Sequence, residues 1–366
     1  MKLHLLLIIF SITLILVLLV VVESSNDFSS NITRGSSLST SSNTNNTSYW
    51  RSPSGNIAFG FYKLPCSNNY SSSNCTQDRY VVGIWFFNSP TKTLVWTANR
   101  NDPPLYAPSS ILFTDEGNLI LQMADNKDKP LLHDVPEPGL YAVMHDNGNF
   151  VLYGSNSRVI WESFDYPTDT ILGGQKLQNG DGLISSMTSF NLGYGFYKLS
   201  VRQADGLVDI HNMYGSRRIG PFDVVSYGRR QYRRRSPITL NLDITGKLSL
   251  VGSDDVVLRT LYEDANLYEK QGGHDGLEVT DGSTNSTVYM YRATLDLYGR
   301  FSLCKERIDG GNISDNGNSI TLAVWWPYGE WETRQNTGLL VVCITIGIIV
   351  VGFACFLIAI FFFNLV

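Results

Sequence analysis

Between its two ends the chain shows little helical periodicity and much alternation of apolar and polar positions. Ile57 to Leu64 (IAFGFYKL), Tyr80 to Phe87 (YVVGIWFF), Thr93 to Ala98 (TLVWTA) and Asn118 to Gln122 (NLILQ) are short runs bounded by Asn, Asp, Gly, Pro or Ser. That is the pattern of strands set off by turns. One unit recurs: Phe113 to Gln122 (FTDEGNLILQ), Met144 to Tyr153 (MHDNGNFVLY), Leu242 to Leu250 (LDITGKLSL) and Leu295 to Leu303 (LDLYGRFSL), with a weaker copy at Gln203 to Ile210 (QADGLVDI). Each places a turn ending in Gly ahead of an alternating strand, because Gly enters a φ > 0 corner without steric cost. Its occurrence in both halves predicts an all-β chain with two related domains in tandem.

The ends follow another pattern. Leu3 to Val22 is almost entirely Leu, Ile and Val, preceded by Lys2 and followed by Ser24-Ser25, which reads as a signal peptide over 1–24; its length leaves an uncleaved signal anchor open. Gly338 to Phe363 carries no charge and is long enough to cross a ~30 Å hydrocarbon core, so it is read as a transmembrane helix. A GPI-attachment signal is the alternative, though its apolar tails run only ~10 to 20 residues. The expectation is a single-pass type I protein of the plasma membrane with its ectodomain outside. Orientation rests on the signal peptide, since no Lys or Arg follows the apolar run. Within 366 residues this leaves 25–165 and 166–307 as the two domains and 308–337 as a stalk.

Composition adds an export signature. The interior carries N-x-[ST] sequons at Asn31, Asn45, Asn46, Asn69, Asn74, Asn285 and Asn312, which in the secretory pathway make a glycoprotein. Of five cysteines, Cys343 and Cys355 lie in the apolar run, and Cys66 and Cys75 are close enough in a polar loop to bridge in an oxidising compartment. Cys304 is left over, either buried and reduced or paired between chains. A net charge of −5 gives no global field for nucleic acid. The local exception is Arg229 to Arg235, with five arginines in seven residues and Gly215 to Gly220 (GSRRIG) upstream. It reads as an exposed loop or as a polyanion contact.

Five longer stretches carry a resemblance: Ser52 to Tyr62 (SPSGNIAFGFY), Gly83 to Pro104 (GIWFFNSPTKTLVWTANRNDPP), Asp115 to Leu121 (DEGNLIL), Asp146 to Tyr153 (DNGNFVLY) and Trp161 to Leu177 (WESFDYPTDTILGGQKL). In this order they resemble the bulb-type (G-type) lectin ectodomains of plant S-receptor-like serine/threonine kinases, strongly over 36–177 and more loosely to about Glu306. The resemblance implies tandem β-prisms, each of three small antiparallel sheets, with Trp85, Trp96 and Trp161 filling the centre of the first. It also implies that Trp161 to Leu172 closes the first prism, with Asp165 and Asp169 holding turn backbone around a proline corner.

Mannose-binding members of that family use Gln-x-Asp-x-Asn-x-Val-x-Tyr. Its period of two delivers amide, carboxylate and phenol to one sugar from one strand face, with the valine packed on the ring carbons. His145 to Tyr153 is the best match: Asn149, Val151 and Tyr153 stand on the Asn, Val and Tyr positions, while His145 replaces Gln and Asn147 replaces Asp. Loss of that carboxylate removes a charge-assisted acceptor. In Thr114 to Gln122 only Asn118 matches outright, with Ile120 near the Val position. His145, Asn147, Asn149, Val151 and Tyr153 are therefore the candidate carbohydrate site, alongside the reading of a strand kept as scaffold after the site decayed.

No enzyme is expected. The five histidines (His4, His133, His145, His211, His274) lack metal spacing, and no HExxH or CxxC occurs; no metal or cofactor is implied. Gly272 to Gly276 (GGHDG) reads as a polar turn. The kinase motifs of the relatives are missing from these residues. The expected function is a membrane-anchored lectin-like receptor protein without its own kinase domain, whose partners are extracellular glycan or receptor-like kinases and not nucleic acid. The alternative is a truncated product of a receptor kinase gene with a decayed sugar site.

Overall fold

The computed structural model describes residues 31–41, 47–65, 77–125, 127–178, 180–201, 208–214, 218–221, 237–264, 277–279, 287–309, 319–325 and 331–332. The expected signal peptide and transmembrane helix lie outside these residues. So do Cys66, Cys75, Asn45, Asn46, Asn69, Asn74, Asn285, Asn312 and the Arg229–Arg235 cluster. Among the described residues no helix is long and apolar enough to cross a membrane.

Among the described residues the regular structure is strand, interrupted by two three-residue 3-10 turns, Ser155–Ser157 and Ser163–Asp165. Strands β1 (Ile32–Thr33), β2 (Ser37–Ser39) and β3 (Tyr49–Arg51) are laid down in turn, and each opens a different antiparallel sheet. The chain then fills those sheets in reverse order. β4 (Ile57–Lys63), β5 (Tyr80–Phe86) and β6 (Leu94–Thr97) extend β3; β7 (Ser110–Phe113), β8 (Leu119–Gln122) and β9 (Asp128–Pro130) extend β2; β10 (Tyr141–Met144), β11 (Phe150–Tyr153) and β12 (Val159–Glu162) extend β1.

The second half repeats this nesting. β13 (Thr170–Leu172), β14 (Gln175–Leu177) and β15 (Gly182–Thr188) open three sheets. β15 is extended by β16 (Asn191–Val201), β17 (Val208–Asn212) and β18 (Arg218–Pro221), and β14 by β19 (Thr239–Leu242), β20 (Leu248–Val251) and β21 (Val257–Tyr262). β22 (Leu277–Val279) and β13 both pair with β23 (Thr287–Leu295), which continues into β24 (Phe301–Arg307), β25 (Ser319–Trp325) and β26 (Trp331–Glu332). Within the stretch read as a stalk, then, two segments add strands to this sheet. Ser319–Trp325 alternates in register with β24 and buries Ala323 and Trp325.

Alternation explains the cores. In β7 and β8, Ile111, Phe113, Leu119 and Leu121 point inward while Ser110 and Gln122 pair on the other face. The first core is aromatic at its centre: Phe59 and Phe150 stack at 3.9 Å, and Trp50, Trp96 and Trp161 surround them. Full burial of each such ring stabilises the unit by about 2 kcal/mol. Trp96 and Trp161 sit in this core as expected, but Trp85 does not. Its neighbours Ile84 and Phe86 take the inward positions of β5, so alternation sends Trp85 to the opposite face, against Tyr49 and Tyr62.

The second core, around Leu199, Leu240, Leu248, Tyr291, Phe301 and Trp325, is mainly aliphatic. The boundary between the cores is shared: Leu172, Met290 and Ile308 from the second half pack into the first core.

Two buried charges cross that boundary in opposite directions. Arg100, just after β6, donates from Nε to Leu192 O (2.7 Å), from Nη1 to Ile184 O (2.8 Å) and from Nη2 to Ser186 Oγ (3.0 Å). Glu306 on β24 reaches back: its Oε1 accepts from Ser89 Oγ (2.9 Å), Thr91 Oγ1 (3.0 Å) and Thr93 Oγ1 (2.5 Å), and its Oε2 pairs with Arg292 Nε (2.7 Å). Arg100 is met by acceptors of the second unit and Glu306 by donors from both, so each buried ion is hydrogen-bonded, the condition under which its burial is tolerated.

Candidate functional site

The strand motif sits on β11 and the Gly turn before it. In that turn His145 N donates to Asn149 O and Gly148 N to His145 O, with Gly148 at φ +89°. A Cβ on Gly148 would come within 2.3 Å of Leu172 Cδ1, so glycine is required there for conformation and for packing against the second unit. Alternation then sets Val151 and Tyr153 on the face of the sheet opposite the core residues Phe150 and Leu152.

The five candidates are brought together, but as a closed set. Asn149 is 7 % exposed. Its Nδ2 donates to Glu162 Oε2 (2.6 Å), and its Oδ1 accepts from Ser163 Oγ (3.1 Å) and Phe164 N (3.2 Å). Asn147 Oδ1 accepts from Asn149 N (3.0 Å), fixing the turn. His145 Nε2 and Tyr153 Oη lie 2.9 Å apart, and Tyr153 stacks on Tyr141 at 4.8 Å. Val151 is 3 % exposed and faces Val143 and Glu162 across the sheet. Burial holds the Tyr153 phenol above its ordinary pKa, with Tyr141 and Glu162 adding to the shift.

This arrangement is chemically a clasp. Both ends of the Asn149 amide are engaged inside the protein, and the valine that would meet sugar carbons is covered. The partners that close it, Glu162 and Ser163, belong to the segment that ends the first unit. Sequence reading missed them, because hydrogen bonds across thirteen and fourteen residues leave no periodic trace.

The second copy, on β8, is more open. Asn118 is exposed, while Gln122 is tied to Ser110 (2.9 Å) and Asp128 (3.4 Å).

Asp165 and Asp169 differ from the expected turn-holding pair. Asp169 accepts from Ser186 Oγ (2.8 Å) and Thr170 Oγ1 (3.0 Å) and lies 3.7 Å from Arg100 Nη2, so it serves the junction through side chains. Asp165 is exposed; partial desolvation raises its pKa, and the neighbouring Glu162 and Asp181 carboxylates raise it further. Burial pushes the Arg100 guanidinium down, against the pull of Asp169 and Tyr194. Cys304 is buried within β24, 3.8 Å from Thr321 Oγ1, and unbridged.

Residues 93–189 match the D-mannose binding lectin (B_lectin) family. Among curated relatives, the G-type lectin S-receptor-like serine/threonine-protein kinase RLK1 of Arabidopsis thaliana is 33 % identical over 51 % of this chain and 22 % of its own length. The receptor-like serine/threonine-protein kinase SD1-7 of Arabidopsis thaliana is 40 % identical over 34 % of this chain and 14 % of its own. The resemblance to bulb-type lectin receptor-like proteins therefore holds, and the chain spans less than a quarter of the length of these relatives. Among solved structures, the two-domain, fetuin-binding Scilla campanulata agglutinin overlaps 68 % of this chain and 96 % of its own at 12 % identity, with a TM-score of 0.24.

Proposed function

We propose that this chain is an exported lectin-like receptor protein: two bulb-lectin β-prisms that meet glycan outside the cell, held at the plasma membrane by a single pass and able to pair with receptor-like kinases. The observation that carries this reading is the lectin-family match at residues 93–189, which runs from β6 through the junction into the second unit. Exposed Asn31, the one sequon among the described residues, fits passage through the secretory route. Phosphoryl transfer is no part of the proposal, since the likeness to the kinases lies in the lectin region.

A second reading has its own observation. The hydrogen bonds of Asn149 to Glu162, Ser163 and Phe164 favour a mannose strand that has become scaffold. Recognition of glycan then lies elsewhere on the module, or has given way to protein contacts.

The deciding experiment is a glycan-array screen of the full chain in detergent, with Tyr153→Ala beside it. Binding lost in Tyr153→Ala would return the site to β11. Binding that survives it would support a lectin that does not use that strand. No binding by folded protein would remove the glycan reading and leave pairing with a receptor kinase, tested by co-precipitation.

A further inference from the structure

A cleft of about 350 Å³ opens where the two units meet, within the ~300–1,000 Å³ range of small-molecule sites. Three regions line it: Trp96 to Arg100 with Leu131 to His133 from the first unit, Trp161 and Asp165 to Thr168 from the connecting segment, and Asp181, Gly182 and Tyr194 from the second. None of the mannose-strand residues takes part.

Its chemistry is uneven in a useful way. Tyr166 and Tyr194 are both exposed, although large aromatic rings among the described residues are mostly covered. Tyr166 stacks one face on Trp161 at 5.2 Å, which fixes the ring as a flat platform. Tyr194 is held by Arg100 at 5.6 Å from its centroid and by Asn101, whose Oδ1 accepts from its backbone N–H (2.9 Å).

Two carboxylates, Asp165 and Asp181, complete the polar wall. Partial desolvation raises both. Asp181 is drawn down in part by Lys198 and by a hydrogen bond from the Gln178 backbone, and Asp165 is raised further by Glu162 and Asp181. Among the described residues, no neighbouring cation or hydrogen bond offsets the shift at Asp165.

The floor supplies the complementary defect. Trp161 is only 5 % exposed, and its indole N–H makes no hydrogen bond of ordinary geometry. Its one acceptor is the Tyr166 phenol, whose pKa this contact lowers, and because the two rings lie face to face the bond is a weak one. A buried donor with only a poorly aligned acceptor is costly. The neighbouring indole of Trp96, by contrast, is satisfied by Tyr166 O at 2.8 Å.

From this juxtaposition we infer that the junction cleft is a binding site for a neutral hexose unit of a glycan. Flat rings would cover the apolar face of the sugar, and Asp165 and Asp181 would accept from adjacent hydroxyls. A hydroxyl oxygen seated against Trp161 would give the indole proton a better acceptor than the Tyr166 phenol. An acidic sugar would be repelled by the carboxylate pair. The inference rests on the glycan-binding reading above and names the place and class of its ligand.

The test titrates the full chain in detergent with neutral methyl hexosides and their disaccharides, followed by tryptophan fluorescence and by array binding. It compares wild type with Asp181→Asn, Tyr194→Ala and Tyr153→Ala. The expected result is about tenfold weaker binding for Asp181→Asn and Tyr194→Ala, as for loss of one charge-assisted hydrogen bond or one stacked ring, with Tyr153→Ala unchanged. Both altered side chains are at least partly exposed, and circular dichroism confirms that each variant is folded. Wild-type binding that survives Asp181→Asn and Tyr194→Ala would overturn the cleft while sparing the lectin reading. Failure of wild type to bind any glycan would overturn both.

Discussion

The two units turn the same corner in different ways. At Gly148 the first unit closes its turn with the side chain of Asn147 and keeps His, Asn, Val and Tyr along the outer strand positions. At Gly299 the second closes it with the carboxylate of Asp296, whose Oδ1 accepts from Tyr298 N and Arg300 N (both 2.9 Å) and whose Oδ2 pairs with Arg300 at 2.5 Å. Gly246 repeats the second solution, with Asp243 Oδ1 accepting from Thr245 N and Lys247 N. The backbone pattern is the same at all three corners and at Gly117, each glycine donating to the carbonyl three residues earlier. The fold therefore demands the glycine and the inward alternation and leaves the outer positions free. In the second unit those positions are given over to holding the turn.

The junction makes the comparison testable, because it joins the units through buried charge. Glu306→Ala should have the largest effect. It strands Arg292 and three hydroxyls, and a loss of about 4 kcal/mol is expected. Calorimetry should show one transition in wild type and two in the variant, as the second unit uncouples from the first. A single transition shifted only slightly would mean that Glu306 does not join them.

Arg100→Lys comes next. An ammonium cannot reproduce three bonds made in a planar fork, so a loss of about 2 kcal/mol is expected by urea denaturation. Stability equal to wild type would show that charge alone suffices there.

The smallest effect separates a packed corner from a free one. Gly55 has φ +75° with open space around its missing Cβ, whereas Gly148 is crowded by Leu172. Gly55→Ala should cost about 1 kcal/mol, the penalty of a left-handed residue, and Gly148→Ala roughly 1 kcal/mol or more beyond that. Equal costs would show that the second unit does not press on the first unit's corner.

Much of this architecture was legible. Alternation marked β4, β5, β8 and β11, and the Gly-turn repeats marked the corners at Gly117, Gly148, Gly246 and Gly299, because strand period and positive-φ corners are local properties. Trp85 was misplaced because the family resemblance set it beside Trp96 and Trp161, while the parity of Ile84 and Phe86 assigns it to the other face. The site was legible only as a list of residues. Its closure depends on Glu162 and Ser163, and the junction depends on pairs such as Arg100 with Ile184 and Glu306 with Ser89. Contacts between distant segments follow from how sheets pack and leave no spacing to read.

The central claim is that Asn149 is scaffold and that recognition lies off its strand. The direct measurement pairs denaturant unfolding of Asn149→Ala with array binding of the same folded sample. The account predicts a loss of about 2 kcal/mol, from stranding Ser163, the Phe164 N–H and Glu162, with any glycan binding retained. Unchanged stability together with lost binding would contradict it and make β11 the sugar site.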